Sequence, residues 1–431
     1  MNIAEHSKTV RLGDITQKKR GISYGIVQPG THENSGVPII RVANIRNGEI
    51  DTTNLLKVSK TIEQNHERTR LHGGELLITI VGTVGETAIV PDQMKGWNVA
   101  RAVAVIPVEE EVGPYWVKLS LCGSAARKII QTRLNTTVQA TLNLRDLADL
   151  PIPMPPPRIR REIVGLLGSL DDKINLNRRT NETLEAMARA LFRDWFVDFG
   201  PTWAKMAGQT PYLTPEIWEL FPDRLDDEGK PEGWRSSWVG ELASLNACSW
   251  SRQNYPETIE YLDLSSVKFG IVNDLSRILA KDAPSRAQRI LRIGETVVGT
   301  VRPGNGSYAY IDRAGLTGST GFACFYSEDE KFREFIYLAL TSKENIDRLA
   351  HLADGAAYPA VRPDAVADTP CVLSDDAVEA FHGQVCSWMN KISAHNAENI
   401  SLSQLRDLLL PKLMSGEIRI RDAEKMVEDA L

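Results

Sequence analysis

The stretch REIVGLLGSLDDKINLNRRTNETLEAMARALFRDWF, residues 161–196, has the most regular apolar pattern in the chain. Counted from Ile163, apolar residues recur at alternating steps of four and three, interrupted by two polar positions. A period of 3.5 residues sustained over this length is typical of a coiled-coil seam. The stretch therefore predicts a long helix that needs a partner of the same kind.

A second seam begins 218 residues later, at Phe381. The polar positions coincide in the two copies, because Asn177 matches His395 and Asn181 matches Asn399. Buried polar residues lower stability but fix register, so this coincidence favours pairing of the two helices. The alternative is two separate amphipathic helices, each lying on its own domain. The predicted seam residues are Ile163, Leu167, Leu170, Ile174, Asn177, Asn181, Leu184, Ala188, Leu191 and Trp195 in the first helix, and Phe381, Val385, Trp388, Ile392, His395, Asn399, Leu402, Arg406, Leu409 and Leu413 in the second.

The duplication extends beyond the helices. Residues 12–15 (LGDI) resemble 239–242 (VGEL), residues 74–77 (GELL) resemble 294–297 (GETV), and residues 147–151 (LADLP) resemble 366–370 (VADTP). The matches keep their order at a nearly constant offset, so the chain contains two similar copies of a globular domain followed by a helix. The usual solenoid periods are absent.

Each globular domain has a mixed pattern. Residues 75–91 and 102–107 are rich in Val, Ile and Thr with Gly at turns, which predicts strands. Residues 115–131 and 332–349 have helical spacing. The run PIPMPPP after Leu150 predicts an extended connector, since proline is excluded from helix interiors.

These patterns predict an α+β protein in six segments. They are a first domain at 1–157, a central helix at 158–199, a linker at 200–235, a second domain at 236–377, a C-terminal helix at 378–421 and a tail at 422–431.

Composition indicates an ordinary globular protein, with 42% hydrophobic and 25% charged residues in a chain of 431. The five cysteines form no CxxC pair, so neither a zinc site nor a disulfide framework is indicated, and we expect a reducing cytoplasm. The net charge of −6 does not exclude nucleic acid as a partner, because attraction of phosphate depends on local patches. Residues 1–150 carry 18 Lys/Arg against 15 Asp/Glu, whereas residues 236–377 carry 14 against 19.

The chain lacks the usual sequence signatures of a catalyst. It has no GxxxxGK[ST] phosphate loop, no HExxH metal motif and no Asn/Asp-Pro-Pro-aromatic sequence for work on a flipped base. Pro222-Asp223 followed by Glu228-Gly229-Lys230 spells an apparent nuclease motif. The spacing is too short for the usual pair of strands, so we interpret it as linker. We expect no catalytic residue and no metal site.

The segments FRDWFVDFGP (192–201), EGKPEGWRSSWVGEL (228–242) and LRDLLLPKLMSGEI (405–418) resemble the specificity subunits of Type I restriction-modification systems. So do LLITIVGTVGETAIV (76–90) and REIVGLLGSLDDKINLNRRTNETLEAMARALF (161–192). The resemblance implies two mixed α/β target-recognition domains, joined by two long helices in an antiparallel coiled coil, with a pseudo-twofold internal repeat. The glycine-rich stretch TVRPGNGSYAYI (300–311) differs between the copies, so how each domain reads DNA is open.

The resemblance also implies a function. Each domain would read one half of a bipartite double-stranded DNA site, and the helices would act as a spacer that sets the gap. Two modification subunits would dock on the helices and direct N6-adenine methylation. Two restriction subunits would add translocation and cleavage. S-adenosylmethionine, ATP and Mg are expected in those partners, and none is expected in this chain, which would not be an enzyme.

Candidates for DNA contact are basic, polar and aromatic residues in loops. They are Lys18, Lys19, Arg20 and Tyr24, with Ser23, and Arg101 in the first domain, and Arg302, Asn305 and Tyr308, with Ser307, in the second. Residues 319–320 are the positional counterpart of Arg101. A solvated basic loop and a plain turn are the alternatives. The aromatic cluster at 195–199 would either pack the helix against its domain, stack bases or dock a partner subunit.

Two other functions are weighed against this one. A fused restriction-modification enzyme would need the methyltransferase and nuclease motifs that are missing. A coiled-coil scaffold or adaptor would not need two similar but divergent α/β domains.

Overall fold

The computed structural model describes residues 8–46, 48–134, 140–251, 253–272, 275–355 and 358–429. It divides the chain into two compact units, Met1–Asn175 with Asn399–Leu431, and Leu176–Glu398. Residues 1–7 of the predicted first domain and 430–431 of the predicted tail lie outside the described residues. The division cuts both long helices, so each unit contains one globular head and one half of each helix.

The first head is built from short strands around a buried central sheet. Its strands are β1 (Lys8–Arg11), β2 (Ser23–Tyr24), β3 (Val37–Ile40), β4 (Ile45–Arg46), β5 (Glu49–Ile50), β6 (Leu56–Val58), β7 (Leu76–Thr79), β8 (Thr87–Ile89), β9 (Asn98–Val99), β10 (Val103–Ile106) and β11 (Pro151–Met154). The central sheet has the order β2-β10-β7-β8, a second sheet has the order β6-β3-β9, β4 pairs with β5, and β1 pairs with β11. All residues of β7 and β10 are buried, which confirms the strands predicted from their β-branched content.

The second head repeats this topology with one additional strand, β18 (Ala287–Ile290), at the edge of its second sheet. Its strands are β12 (Arg235–Trp238), β13 (Ser244–Leu245), β14 (Thr258–Leu262), β15 (Val267–Lys268), β16 (Ile271–Val272), β17 (Ser276–Leu279), β18 (Ala287–Ile290), β19 (Thr296–Gly299), β20 (Tyr308–Tyr310), β21 (Leu316–Ser319), β22 (Phe322–Tyr326) and β23 (Pro370–Leu373). The central sheet is β13-β22-β19-β20, the second sheet is β17-β14-β21-β18, β15 pairs with β16, and β12 pairs with β23. The duplication predicted from sequence is therefore a duplication of fold.

Helices complete each head. The first head has α1 (Lys60–Gln64), α2 (Pro114–Cys122), α3 (Ser124–Thr132) and α4 (Leu144–Ala148), and the second has α8 (Val239–Leu242), α9 (Arg333–Leu340), α10 (Lys343–Leu352) and α11 (Pro363–Ala367). Each helical stretch predicted as one run is thus two helices, α2 with α3 and α9 with α10. The second helix of each pair begins at a cap, Gly123 and Ser342 respectively, and the Ser342 side chain accepts from the Asn345 N–H.

One glycine contact explains a sequence match between the copies. A Cβ placed on Gly13, just after β1, would lie 3.3 Å from the Cβ of Ala148 in α4. A Cβ placed on Gly240, just after β12, would lie 3.0 Å from the Cβ of Ala367 in α11. In both heads the absence of a side chain on the glycine allows the segment after the first strand to pack closely against the last short helix, α4 or α11.

The two long helices are α5 (Pro157–Phe196) and α12 (Asp375–Ser415). Every predicted seam residue is buried or half-buried. In the first unit, Leu167 and Leu170 of α5 share one core with Leu409 and Leu413 of α12. The Arg406 guanidinium also pairs with Asp171 at 2.7 Å, which accommodates an arginine within an apolar seam.

In the second unit the polar seam residues of α5 bind polar residues of α12 across the helices. The Asn177 Nδ2 donates to Glu398 Oε2 at 2.6 Å, and His395 Nδ1 lies 2.8 Å from Asn181 Oδ1. Residue numbers rise along α5 as they fall along α12, so these halves are antiparallel. His395 is thus hydrogen-bonded within the seam.

Residues 200–235, predicted as a linker, fold onto the second head. They contain α6 (Gly200–Met206) and α7 (Pro215–Trp218). The buried rings of Phe221 and Trp234 pack against Trp195 and Phe196 at the end of α5. Packing, the first of the roles considered for the aromatic cluster at 195–199, is therefore the one that the structure shows for Trp195 and Phe196.

The apparent nuclease motif lies in this folded segment. The Lys230 ammonium pairs with Asp226 at 2.6 Å and with Glu228, which closes a turn. Within the described ranges, no group of three His, Cys, Asp or Glu side chains is arranged to hold a metal ion. In the same part of the chain no helix combines the length and apolarity required to cross a bilayer. The predicted tail largely belongs to α13 (Ile420–Glu428), which buries Ala423 and Val427.

A buried glutamate follows the matched glycine in each head. Glu75 accepts from the His72 backbone N–H, and Glu295 accepts in the same way from the Arg292 N–H. Glu75 also forms an ion pair with Arg20 at 2.6 Å. Burial raises the pKa of the Glu295 carboxyl, although the Arg292 N–H and the charges of Arg292 and Arg289 oppose this rise. The Glu75 carboxylate of the first head is therefore ion-paired, whereas burial disfavours the charged form of the equivalent Glu295 in the second head.

We expect Glu75→Gln and Glu295→Gln to change stability in opposite directions. Glu75→Gln leaves the Arg20 guanidinium without its carboxylate and should lower the free energy of unfolding by about 2 kcal/mol. Glu295→Gln removes a buried charge but keeps the acceptor, so it should raise stability at neutral pH. Thermal unfolding of the full chain measures both.

The pH dependence gives a second readout. Because the folded pKa of Glu295 lies above its unfolded value, ionisation of this group lowers stability as pH rises from the unfolded pKa through the folded one. The gain from Glu295→Gln should therefore grow over that interval and then level off. A gain that is largest at acid pH would contradict this account.

Candidate nucleic-acid interface

A basic turn projects from the first head between residues 17 and 21. Lys18 and Lys19 are exposed at this turn. Arg20 is not exposed with them, because its guanidinium binds Glu75 and donates to the Arg70 carbonyl at 2.7 Å. The position of Arg20 is therefore that of an anchor, which holds the turn so that the two lysines face solvent. In the described residues between α8 and β13 of the second head there is no corresponding turn, because β13 follows α8 after one residue.

The other candidates of the first head lie on loops and strand ends. The Tyr24 ring is 49% exposed on β2, an edge strand of the central sheet. Arg101 is exposed between β9 and β10, and its backbone N–H donates to Ile26 at 2.8 Å. In the second head Thr320 lies between β21 and β22 as Arg101 lies between β9 and β10, so Thr320 is the structural counterpart of Arg101.

The loops after β7 and β19 are held by the same backbone bonds. In the first head Leu142 donates to Ile80, and Gly82 donates to Ala140. In the second head Val361 donates to Thr300, and Arg302 donates to Pro359 at 2.7 Å. Gly82 and Arg302 are therefore equivalent positions in two copies of one loop.

The candidates in the second head occupy this loop and the strand that follows. Arg302 and Asn305 are exposed, and the Arg302 guanidinium lies over the ring of Tyr358, 4.8 Å from its centroid. Tyr308 is only 8% exposed on β20, where Arg189 of α5 lies against its ring. The structure thus brings Arg302 and Asn305 to the surface and places Tyr308 within the supporting layer.

Sequence reasoning missed two exposed aromatic residues beside this loop. Phe269 is 53% exposed at the tip of the β15–β16 hairpin, and Tyr358 is 73% exposed. The Phe269 N–H donates to the Gly306 carbonyl at 2.6 Å, which docks the hairpin on the loop. A signal was present, because the hairpin tip reads Phe-Gly where the first copy reads Asn47-Gly48, the sequence such turns favour.

One acidic stretch of the second head, residues 328–334, lies at the other end of its central sheet. Gly299 pairs with Phe322 beside the loop, whereas Thr296 pairs with Phe325 at the far end. The chain leaves β22 at that far end and enters the acidic stretch at 328–334. Near the loop, Asp263 is paired with Arg286 at 2.6 Å. Part of the negative charge of this head therefore lies away from Arg302, although Asp354 adjoins the loop through Ala360.

Comparison with known proteins gives a consistent result. Residues 4–186 match the family described as the Type I restriction modification DNA specificity domain. The Type I restriction enzyme EcoBI specificity subunit of Escherichia coli is 32% identical over 194 residues, which cover 43% of this chain and 40% of that protein. The HindI specificity subunit of Haemophilus influenzae is 24% identical over 345 residues, 68% of this chain and 74% of that one.

Among solved structures, the Type-I restriction-modification system S subunit from M. genitalium is 14% identical and has a TM-score of 0.48, covering 94% of this chain and 96% of that one. The match to the E. coli protein spans less than half of that protein's length. Residues 4–186 of this chain therefore match the DNA specificity domain of Type I restriction-modification systems, and the chain is similar to specificity subunits of such systems.

Proposed function

We propose that this chain is the DNA-sequence specificity subunit of a Type I restriction-modification complex. Each head reads one half of a bipartite site in double-stranded DNA. The observation that carries the proposal is the duplication of one fold, with matched strand order and loop bonds, in a chain whose residues 4–186 match this family. The heads share their scaffold and differ in exposed loops, which is what reading two different half-sites requires.

The long helices act as the spacer between the half-sites. Their apolar seam and the Asn177–Glu398 and Asn181–His395 pairs fix one register, and a fixed register is what a constant gap needs. We also propose that two modification subunits dock on these helices. They direct N6-adenine methylation, and two restriction subunits add DNA translocation and cleavage.

The chemistry belongs to the partners in this proposal. Methyl transfer needs S-adenosylmethionine, and translocation and cleavage need ATP and Mg, all bound by the other subunits. The chain itself contributes recognition in the cytoplasm. Phosphate contacts by Lys18, Lys19 and Arg101 position the first head and would make affinity fall with salt.

Methylation mapping tests this proposal. In a host that carries the complete system, the genome should contain one bipartite N6-methyladenine motif, and deletion of this chain alone should remove that motif and leave every other methylated motif in place. Re-expression of the chain from a plasmid is the control and should restore the same motif. A methylome that is unchanged by deletion, while the system is expressed, would favour a scaffold or adaptor role instead.

Lengthening both helices tests the spacer. One heptad inserted within 163–191 and one within 381–409 keep the seam in phase and add about 10 Å at 1.5 Å per residue. At 3.4 Å per base pair this should lengthen the gap in the methylated motif by roughly three base pairs, with both half-sites unchanged. The control is a single insertion in α5 alone, which shifts its seam against α12 and should abolish methylation. Altered half-sites in the double insertion would show that the helices are not a spacer.

A further inference from the structure

Two residues of the second head are held in an unfavourable backbone conformation at one place. Arg302 has a φ of 48° and Phe269 has a φ of 48°, both in the left-handed region that favours glycine. Their loops are joined, because the Phe269 N–H donates to the Gly306 carbonyl. A Cβ on Gly306 would meet the Phe269 ring at 2.3 Å, so that glycine is what allows the ring to lie there.

The first head shows that the strain at Arg302 is avoidable. Its equivalent residue is Gly82, with a φ of 79° and the same backbone bond to the segment behind it. Glycine reaches this conformation without steric conflict, whereas arginine does so at a cost in free energy. The backbone conformation of this loop therefore favours glycine, but the second head has arginine, with its long cationic side chain, at this position.

The surroundings of Arg302 suit a nucleic acid. Its guanidinium is exposed and stacks on Tyr358, which holds the planar fork in a defined orientation. Phe269 adds a second exposed ring, and Asn305 adds an amide. A fixed guanidinium matches the O6 and N7 acceptors of guanine in the major groove, the pair that arginine reads most often.

We propose that Arg302 is a specificity-determining residue of the second head and reads a G·C base pair in the half-site of that head. This inference rests on the proposed function. The strained conformation is kept because it aims the guanidinium, with Phe269 and Tyr358 forming the aromatic surface around it.

The test uses the complete system in a host without other Type I activity, and compares wild type with Arg302→Gly, Arg302→Lys and the control Arg313→Gly. Arg302→Gly introduces the residue that the first head has at the equivalent position, Gly82. The Tm of the purified variant should therefore stay within about 3 °C of wild type. Lys keeps the charge but loses the planar fork. Arg313 lies beyond the other end of β20, so its variant should methylate the wild-type motif.

We expect Arg302→Gly to make one G·C position of a single half-site degenerate in the mapped motif, while the other half-site is unchanged. On duplexes that differ at this base pair, discrimination by the assembled complex should fall by about 5- to 100-fold. Arg302→Lys should show the same degenerate position with a smaller loss.

Three results would overturn the inference. The first is a wild-type motif in Arg302→Gly. The second is a uniform loss of methylation at all sites with no degenerate position, which indicates a phosphate contact. The third is a loss in Arg302→Gly that Arg302→Lys fully restores. Absence of any bipartite motif in wild type would instead overturn the proposed function.

Discussion

Both long helices contribute residues to the hydrophobic core of each unit, and the rest of the structure depends on this constraint. In the first unit the core includes Leu167 of α5 and Leu409 of α12, and in the second it includes Trp195 of α5 and Phe381 of α12. These partners are far apart in sequence. Neither half of the duplicated chain is therefore a self-contained fold, because each head buries its apolar surface against one helix half from its own copy and one from the other.

Periodicity predicted much of this from the sequence. The seam, its polar step, the strands of the central sheets and the repeated order of elements depend on local spacing, which a sequence displays directly. Which helix half packs against which head depends on tertiary contacts. The sequence therefore did not show that each unit contains one half of both helices. Residues 200–235 were predicted as a linker because Pro and Gly dominate their pattern, although Trp218, Phe221 and Trp234 anchor them in a core.

Contacts of single side chains were harder to predict than elements. Lys18, Lys19 and Arg20 are one basic run in the sequence, yet the third is bound to a buried carboxylate that lies in another segment. Tyr308 was predicted as a contact from its glycine-rich neighbourhood, but it follows the loop into a strand and is covered there. In each case the deciding partner is remote in sequence, so no local pattern carries the information.

The net charge of the second head does not predict the local charge at each part of its surface. Its excess of acidic residues suggests repulsion of DNA, but Coulomb effects across a wet surface are screened within about 8–10 Å. The acidic stretch at 328–334 and the loop around Arg302 adjoin opposite ends of the strand pair β19–β22. Some of these carboxylates also pair locally, as Glu330 does with Arg333. The acidic stretch at 328–334 therefore contributes little to the potential at Arg302, because the length of the sheet separates the two.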